Sequence, residues 1–570
     1  MPRPSPLAFL GVVALLPWPT AASDGWVRVR SPHFEVLSDA GEAPGREATR
    51  RLERLRGVLL TLFPGREPID RPITLLVLEN RARFSSLAPQ GSGRGAGLGG
   101  FFQGGSERDY AVLHLSPLPP RPFEAAEHEY AHLVLNRSLS AQPVWVAEGL
   151  ADVLSDAVFD GSQAGLGAGR PEYEALVRRP PSLSLERLLA IGNESPEYHG
   201  HAETEALYAR SWALVRWVLH RRGLAGLRSF LEALAEGAEP RAAFAERIGP
   251  LGEAEATLLD VPPGPLLRVP VDEHLDPPLE SDVPTVADVE QRLGDLLLHG
   301  GHTTAARRHL ECALAADPAH VPTRNSLGDL LTRRGEWDAA RRHLEAVLAL
   351  QPDDPVALLR DAHLRLGTAR EEGVALTPEA EERIVADLET ALSRAPQLSD
   401  AALLLAHLRP EPVEERIALL EPLFDRQPDR SEIGQMLSGL HLKRGDIATA
   451  RRVLERTHDA ARDSTGRYLA RHQLARLEGF SVVTAEVRGD LVFVACRADG
   501  SLRFTVVADP RTVRLEAASP RSFLVHGADG PQTELLCGEQ DRAVVVRYDP
   551  GGGSDPEVNG TLMWLAFDEP

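Results

Sequence analysis

Residues 293–318 recur at 327–352. Leu293-Gly294-Asp295-Leu296 returns as Leu327-Gly328-Asp329-Leu330. Gly301, Ala305, Ala306, Arg307, Arg308, His309, Leu310, Glu311, Leu314 and Pro318 return as Gly335, Ala339, Ala340, Arg341, Arg342, His343, Leu344, Glu345, Leu348 and Pro352, all at an offset of 34. Composition alone does not produce so many identities at one offset. Small and large apolar residues fall at helical steps, a glycine marks the middle of the unit and a proline its end, which is the pattern of two short helices joined by a turn. Such a pair cannot bury its apolar stripe alone, so copies must stack on one another. Leu388–Pro396, Leu420–Pro428 and Gly445–Glu455 read as more divergent copies, giving four to five units from about Val286 to Glu478.

This spacing resembles the tetratricopeptide repeat. The resemblance implies an all-α solenoid over residues 286–478 that binds a protein partner through its concave face.

The repeats occupy a third of a chain of 570 residues, a length that predicts three to four domains. With 62 basic against 83 acidic residues the net charge is −21, and no dense Lys/Arg run offsets it, so nucleic acid is excluded as a partner class. Arg3, the apolar run Leu7–Leu16 and Thr20-Ala21-Ala22 follow the order of a secretory signal, with cleavage expected after Ala22 or Ser23. The run is too short for a membrane span, and no other stretch reaches 18 apolar residues. The mature chain is therefore expected to be bacterial, exported to the periplasm or beyond the cell, and without a span. Export permits disulfides. Cys496 and Cys537 lie near strand ends and are expected to pair, whereas Cys312 corresponds to Ala346 in the next repeat and is expected to stay a thiol.

Residues 24–260 read as an α+β domain. Trp26–Ser38 alternates like a strand, Ala48, Leu52, Leu55, Leu59 and Leu62 form a helical stripe, and Ile73–Leu78 and Tyr110–Leu115 are strands. From Phe123 to about Gly249 the pattern is helical. Residues 261–285, with seven prolines between Val261 and Thr285, read as a linker. Residues 479–570 alternate in short strands and read as a small all-β domain.

Within the helical stretch, His128-Glu129-Tyr130-Ala131-His132 has the HExxH spacing. Residues four apart share a helix face, so both imidazoles can reach one ion while Glu129, about a hundred degrees round, points beside it. Trp145-Val146-Ala147-Glu148-Gly149-Leu150-Ala151-Asp152 follows, entered through Pro143 as first helical residue. Glu148 can supply a third ligand and Asp152 an acceptor for a histidine N–H, which leaves the fourth position of a zinc ion open.

With these motifs the chain resembles the gluzincins, the thermolysin-like zinc peptidases, and more closely a poorly characterised exported peptidase-like family whose members often carry tetratricopeptide repeats. The matching stretches are SPHFEVLSD, HEYAH, WVAEGLAD and LYARSWALVRWVL, between Trp26 and Leu259. The resemblance implies a zincin-like fold, zinc held by His128, His132 and Glu148, Glu129 as general base, and hydrolysis of an amide in a protein or peptide substrate. A tyrosine or histidine donor usually assists. Tyr208 is the candidate, although at helical spacing with Trp212 and Val215 it reads equally well as a core aromatic; Tyr198 and His201 are in reserve.

Other motifs carry less. Gly95–Gly100 matches GxGxxG but is followed by Phe101-Phe102 and no helix, which rules out a dinucleotide site and leaves a loop beside the cleft. His299-Gly300-Gly301-His302 falls in the turn of the first repeat and is expected to face solvent. The whole reads as a multidomain α+β chain with a zinc-dependent peptidase domain, a recruiting solenoid and a β domain. The alternative is a tetratricopeptide interaction scaffold whose peptidase-like domain is structural.

Overall fold

A computed structural model describes residues 25–63, 72–89, 100–115, 121–139, 142–179, 183–192, 195, 201–235, 238–271, 277–409, 412–461, 464–477, 485–496, 502–508, 511–517, 524–526, 538–549 and 558–567. The expected signal segment, Cys537 and the side chain of Cys496 lie outside these residues, and so does the expected disulfide. Cys312 is a half-buried free thiol.

The chain opens with β1 (Val27–Arg30), β2 (Phe34–Ser38), α1 (Glu42–Leu62), β3 (Ile73–Leu78), α2 (Arg81–Leu87), β4 (Gly100–Gly104) and β5 (Asp109–His114). The stretch Trp26–Ser38 is thus two strands, folded on each other as an antiparallel hairpin. β3, with sequence ITLLVL, is buried at every position, as an unbroken apolar run in a central strand should be. It pairs in parallel with β2 and β5, in a sheet of order β4-β5-β3-β2-β1-β9, where β9 is Glu280–Asp282.

The two faces of this sheet go to different cores. Val36, Leu75, Val77 and Leu113 pack with Leu52, Leu55 and Leu59 of α1 and with α3 (Glu124–Ser138) and α4 (Val144–Ser155). Leu37, Leu76, Leu78, Tyr110 and Val112 point the other way.

After α4 come β6 (Val158–Asp160), β7 (Gln163–Leu166), α5 (Pro171–Arg178), α6 (Leu185–Ala190), α7 (His201–Ala235, kinked at Gly223), α8 (Pro240–Arg247), α9 (Leu251–Thr257), β8 (Leu267–Pro270) and β9 (Glu280–Asp282). Two sequence readings are corrected here. The stretch after Phe123 is interrupted by a β6–β7 hairpin, and residues 261–285 are not a free linker. β8 pairs with β7, and β9 pairs with β1 at the sheet edge, where Asp282 takes Arg28 in a two-point ion pair. Prolines there shape a segment that is held down at both ends.

The repeats are the helix pairs α10 (Val286–His299) and α11 (Thr303–Ala316), α12 (Val321–Arg333) and α13 (Trp337–Leu350), α14 (Pro355–Glu371) and α15 (Pro378–Arg394), α16 (Ser399–Leu408) and α17 (Val413–Arg426), α18 (Ser431–Lys443) and α19 (Ile447–Ala460), followed by α20 (Ser464–Leu477). Thr285 and Asp288 form a capping box that starts α10. The repeated glycine has a packing reason: a Cβ on Gly294 would lie 2.7 Å from the Leu310 side chain, and one on Gly328 would lie 2.6 Å from Leu344, its equivalent 34 residues on. Gly301, Gly335 and Gly445 take positive φ in the turns between paired helices.

The solenoid does not stand apart. Leu293, Leu296 and Leu297 of α10 cover the second face of the N-terminal sheet and share one core with Leu76, Phe84, Phe101 and Tyr110. The turn residues expected in solvent are therefore packed. His302 Nε2 lies 2.7 Å from the Ala88 carbonyl, and His299 Nε2 lies 3.3 Å from Ser106 Oγ. Burial lowers the His299 pKa, against the pull of Asp295.

The chain ends in β10 (Ala485–Cys496), β11 (Leu502–Ala508), β12 (Arg511–Ala517), β13 (Leu524–His526), β14 (Gly538–Asp549) and β15 (Gly560–Phe567), ordered β12-β11-β10-β14-β15-β13. A further β12–β15 pairing closes five of these strands around Phe504, Val506, Leu515, Val544 and Leu565.

Candidate metal centre

α3 carries His128 and His132 one turn apart, and the short connection to α4 folds that helix back against them. Helical bonds to the Pro143 carbonyl make Pro143 the residue before the helix, one place earlier than its sequence reading. Glu148 is 1% exposed and faces the two imidazoles. His128 Nε2 and His132 Nε2 are 3.0 Å apart, and Glu148 Oε2 lies 3.2 Å from His132 Nε2 and 3.4 Å from His128 Nε2. Among the described residues this is the one such group of histidine, cysteine and carboxylate side chains whose ligand atoms converge, all within 4.8 Å.

The triangle fits a zinc ion. Tetrahedral bonds of about 2.0–2.2 Å set ligand atoms about 3.3–3.5 Å apart, within about 0.3 Å of the three distances here. Two imidazoles and one carboxylate suit zinc and poorly suit calcium or magnesium, which take oxygen ligands. His128 Nδ1 donates to Asp152 Oδ1 at 3.2 Å, which leaves the Nε2 lone pair aimed at the centre of the triangle. Burial by itself would raise the Glu148 pKa, but the two imidazoles hold it well below the ordinary carboxylate range. Burial would likewise lower that of His128, and Asp152 and Glu148 overturn this and raise it well above its usual value.

A glycine sets the depth of Glu148. A Cβ on Gly149 would stand 2.4 Å from the Ser211 carbonyl oxygen and 2.6 Å from Val215 Cγ2, so only glycine lets α4 lie this close to α7. Glu129 is half-buried beside the histidines and makes no hydrogen bond or ion pair with any described residue. Tyr208 separates from its neighbours on α7. Trp212 and Val215 are fully buried, whereas Tyr208 is half-buried with its ring centroid 6.2 Å from that of His128. Tyr198 and the side chain of His201 lie outside the described residues.

Two neighbours were not singled out from sequence. Arg170, 1% exposed, reaches Asp152, and Tyr173 lies under its guanidinium. Glu127, next to His128, is paired at two points with Arg51 of α1, both at 2.9 Å; burial pushes its carboxyl up to about 7 despite the arginine. Nothing in the local sequence distinguishes these residues from other arginines and glutamates, because their partners come from distant elements.

A family model of the tetratricopeptide repeat matches residues 297–360. No curated protein matches the chain. Similar solved structures include a thermophilic TPR protein of Thermus thermophilus, with 21% identity over 33% of this chain and 98% of that one, and a TM-score of 0.29. PilF of Pseudomonas aeruginosa is 16% identical over 34% of this chain and 85% of its own, with a TM-score of 0.28. PilW, described as a widely conserved type IV pilus biogenesis factor, is 15% identical over 35% and 88%, also at 0.28. What these comparisons support is the repeat region in the C-terminal part of a mixed α+β chain.

Proposed function

We propose that this chain is an exported, protein-binding repeat protein whose N-terminal domain is a zincin-like, zinc-dependent hydrolase of peptide bonds. Protein binding is supported by the tetratricopeptide match. Hydrolysis is carried by one observation, the His128–His132–Glu148 triangle together with Glu129, next to His128 on α3, whose side chain has no partner among the described residues.

His128, His132 and Glu148 would hold the ion, which supplies Lewis acidity toward water and the scissile carbonyl. Glu129 would accept a proton from the attacking water and return it to the leaving amine. Asp152 would keep the His128 proton on Nδ1, and Tyr208 would donate a hydrogen bond to the developing oxyanion.

The second reading is an interaction scaffold in which the triangle is a buried polar cluster. The comparisons favour it so far as they go, since they speak for the repeats and for nothing in the N-terminal domain. Zinc analysis of the purified protein and hydrolysis of an unstructured protein, set against Glu129→Gln, decide between the two. Carboxylate and amide have nearly the same shape, so zinc should stay while turnover falls by at least about 10²-fold. Absence of stoichiometric zinc, or activity that survives Glu129→Gln, would leave the scaffold.

A further inference from the structure

Arg170, 1% exposed, is as deeply buried as Glu148 of the triangle, and it collects three carboxylates. Its Nη2 donates to Glu124 Oε1 at 2.6 Å and to the Asp152 carbonyl at 3.0 Å. Its Nη1 lies 3.6 Å from Asp152 Oδ1, and its Nε lies 3.4 Å from Asp156 Oδ2. Asp152 Oδ1 is the same oxygen that receives the His128 Nδ1 proton. The guanidinium also sits 5.1 Å over the Tyr173 ring, which stands edge-on to Trp212, one helical turn from Tyr208 on α7.

The backbone that carries Arg170 is fixed in its turn. Gly169 N–H donates to the Pro263 carbonyl at 2.8 Å, and the buried Arg216 spans the Gly167 and Pro262 carbonyls at 2.9 and 2.6 Å. The proline-rich segment therefore clamps the loop on which Arg170 stands. Burying this guanidinium costs desolvation, and its fork faces a carboxylate side chain and a backbone carbonyl at once.

We propose that Arg170 is a positioning residue of the metal centre. It fixes the Asp152 carboxylate, and through it the tautomer and ring orientation of His128, so that Nε2 and not Nδ1 is offered to the ion. The inference rests on the zinc reading of the site. Without the guanidinium, Glu124, Asp152 and Asp156 face one another, and Arg121, 3.2 Å from Asp156 and 3.8 Å from Glu124, pairs with two of the three. Asp152 then loses the side-chain and backbone contacts that turn it toward His128.

Zinc affinity of the full chain, measured by competition with a chromophoric chelator, tests this. Arg170→Met should weaken zinc binding about 10 to 100-fold, the scale for removing an outer partner of a ligand. Arg170→Lys, which keeps the charge without the fork, should recover part of the loss. In an Asp152→Asn background neither substitution should matter by more than about 3-fold, because nothing is left to position. The visible spectrum of the cobalt(II)-substituted protein should shift with Arg170→Met.

Equal zinc affinity in wild type and folded Arg170→Met overturns the proposal, even if the melting temperature falls. The same loss with and without Asp152 also overturns it. Should Arg170→Met not fold, Arg170→Lys in the two backgrounds decides alone. Wild type that binds no zinc would instead defeat the reading of the site, whereas zinc held equally by wild type and Arg170 variants would defeat only this inference.

Discussion

Glu107, at the tip of the β4–β5 turn, is paired with Arg360 in the first helix of the third repeat, 253 positions further along the chain. The pair is one of a row. Ser106 meets His299, Tyr110 donates to Asp295 Oδ2 at 2.7 Å, and Glu35 takes Arg292 at 3.0 Å. The first helices of the first and third repeats, α10 and α14, are thus engaged by the N-terminal domain of the same chain. Glu107 and Ser106 of these contacts belong to the turn that leads out of edge strand β4, while Glu35 and Tyr110 reach the helices from β2 and β5. β4 itself packs on α3, where a Cβ on Gly100 would lie 2.9 Å from that of Ala125.

The N-terminal domain should not fold without the first repeats. Ending the chain at residue 285 uncovers Leu76, Leu78, Phe84, Phe101, Tyr110 and Val112, none more than 9% exposed and each worth roughly 1.5–3 kcal/mol of burial. Together they are worth about 10 kcal/mol, comparable with the whole stability of a domain. The truncated protein should aggregate or lack near-ultraviolet circular dichroism. A soluble, cooperatively melting fragment 24–285 would contradict the shared core.

His128→Ala and His132→Ala should each abolish stoichiometric zinc, and Glu148→Ala should weaken it. Since the ion binds only the folded triangle, adding zinc at about 1,000 times its dissociation constant should raise wild-type stability by about 4 kcal/mol. Thermal melts with and without chelator read this directly. Identical melts would show that the triangle stands without an ion.

Gly149→Ala should destabilise the domain by about 1–3 kcal/mol, as overpacking does where the obstacle is backbone. Because Glu148 precedes it, the displaced helix should also loosen zinc. A variant with wild-type melting temperature and zinc affinity would mean that α4 has room to move away from α7.

Tyr208→Phe should leave zinc content unchanged and lower kcat by about 10²-fold if its hydroxyl serves the oxyanion. An unchanged kcat would return Tyr208 to the role of a packing aromatic.

Acid should weaken the junction through Asp329. Burial alone would raise its carboxyl, but Arg360 and Arg333 outweigh burial and bring it down to about 2 from an ordinary 3.8. A folded pKa below the unfolded one gives stability that is complete above about pH 4 and lost as the pH falls through 2, in all about 2 kcal/mol. Asp329→Asn should therefore flatten the decline of urea midpoints between pH 4 and 2. Parallel declines in wild type and variant would place the charge coupling elsewhere.

The sequence by itself determined what is local and periodic. The 34-residue offset determined the paired helices, because Gly294 and Gly328 must each admit a leucine and Gly301 and Gly335 must each turn the chain. Spacing along single helices put His128 on one face with His132, and Glu148 on one face with Asp152, since steps of four are set by the helix alone. Only the tertiary structure decided which distant groups meet. It set Arg170 behind Asp152 and Arg51 against Glu127. It strapped residues 261–285 to two sheets and packed α10 against the second face of a sheet whose strands lie about 200 residues earlier. Those contacts follow from apolar faces and buried charges seeking partners across the whole chain, a choice that no short-range pattern records.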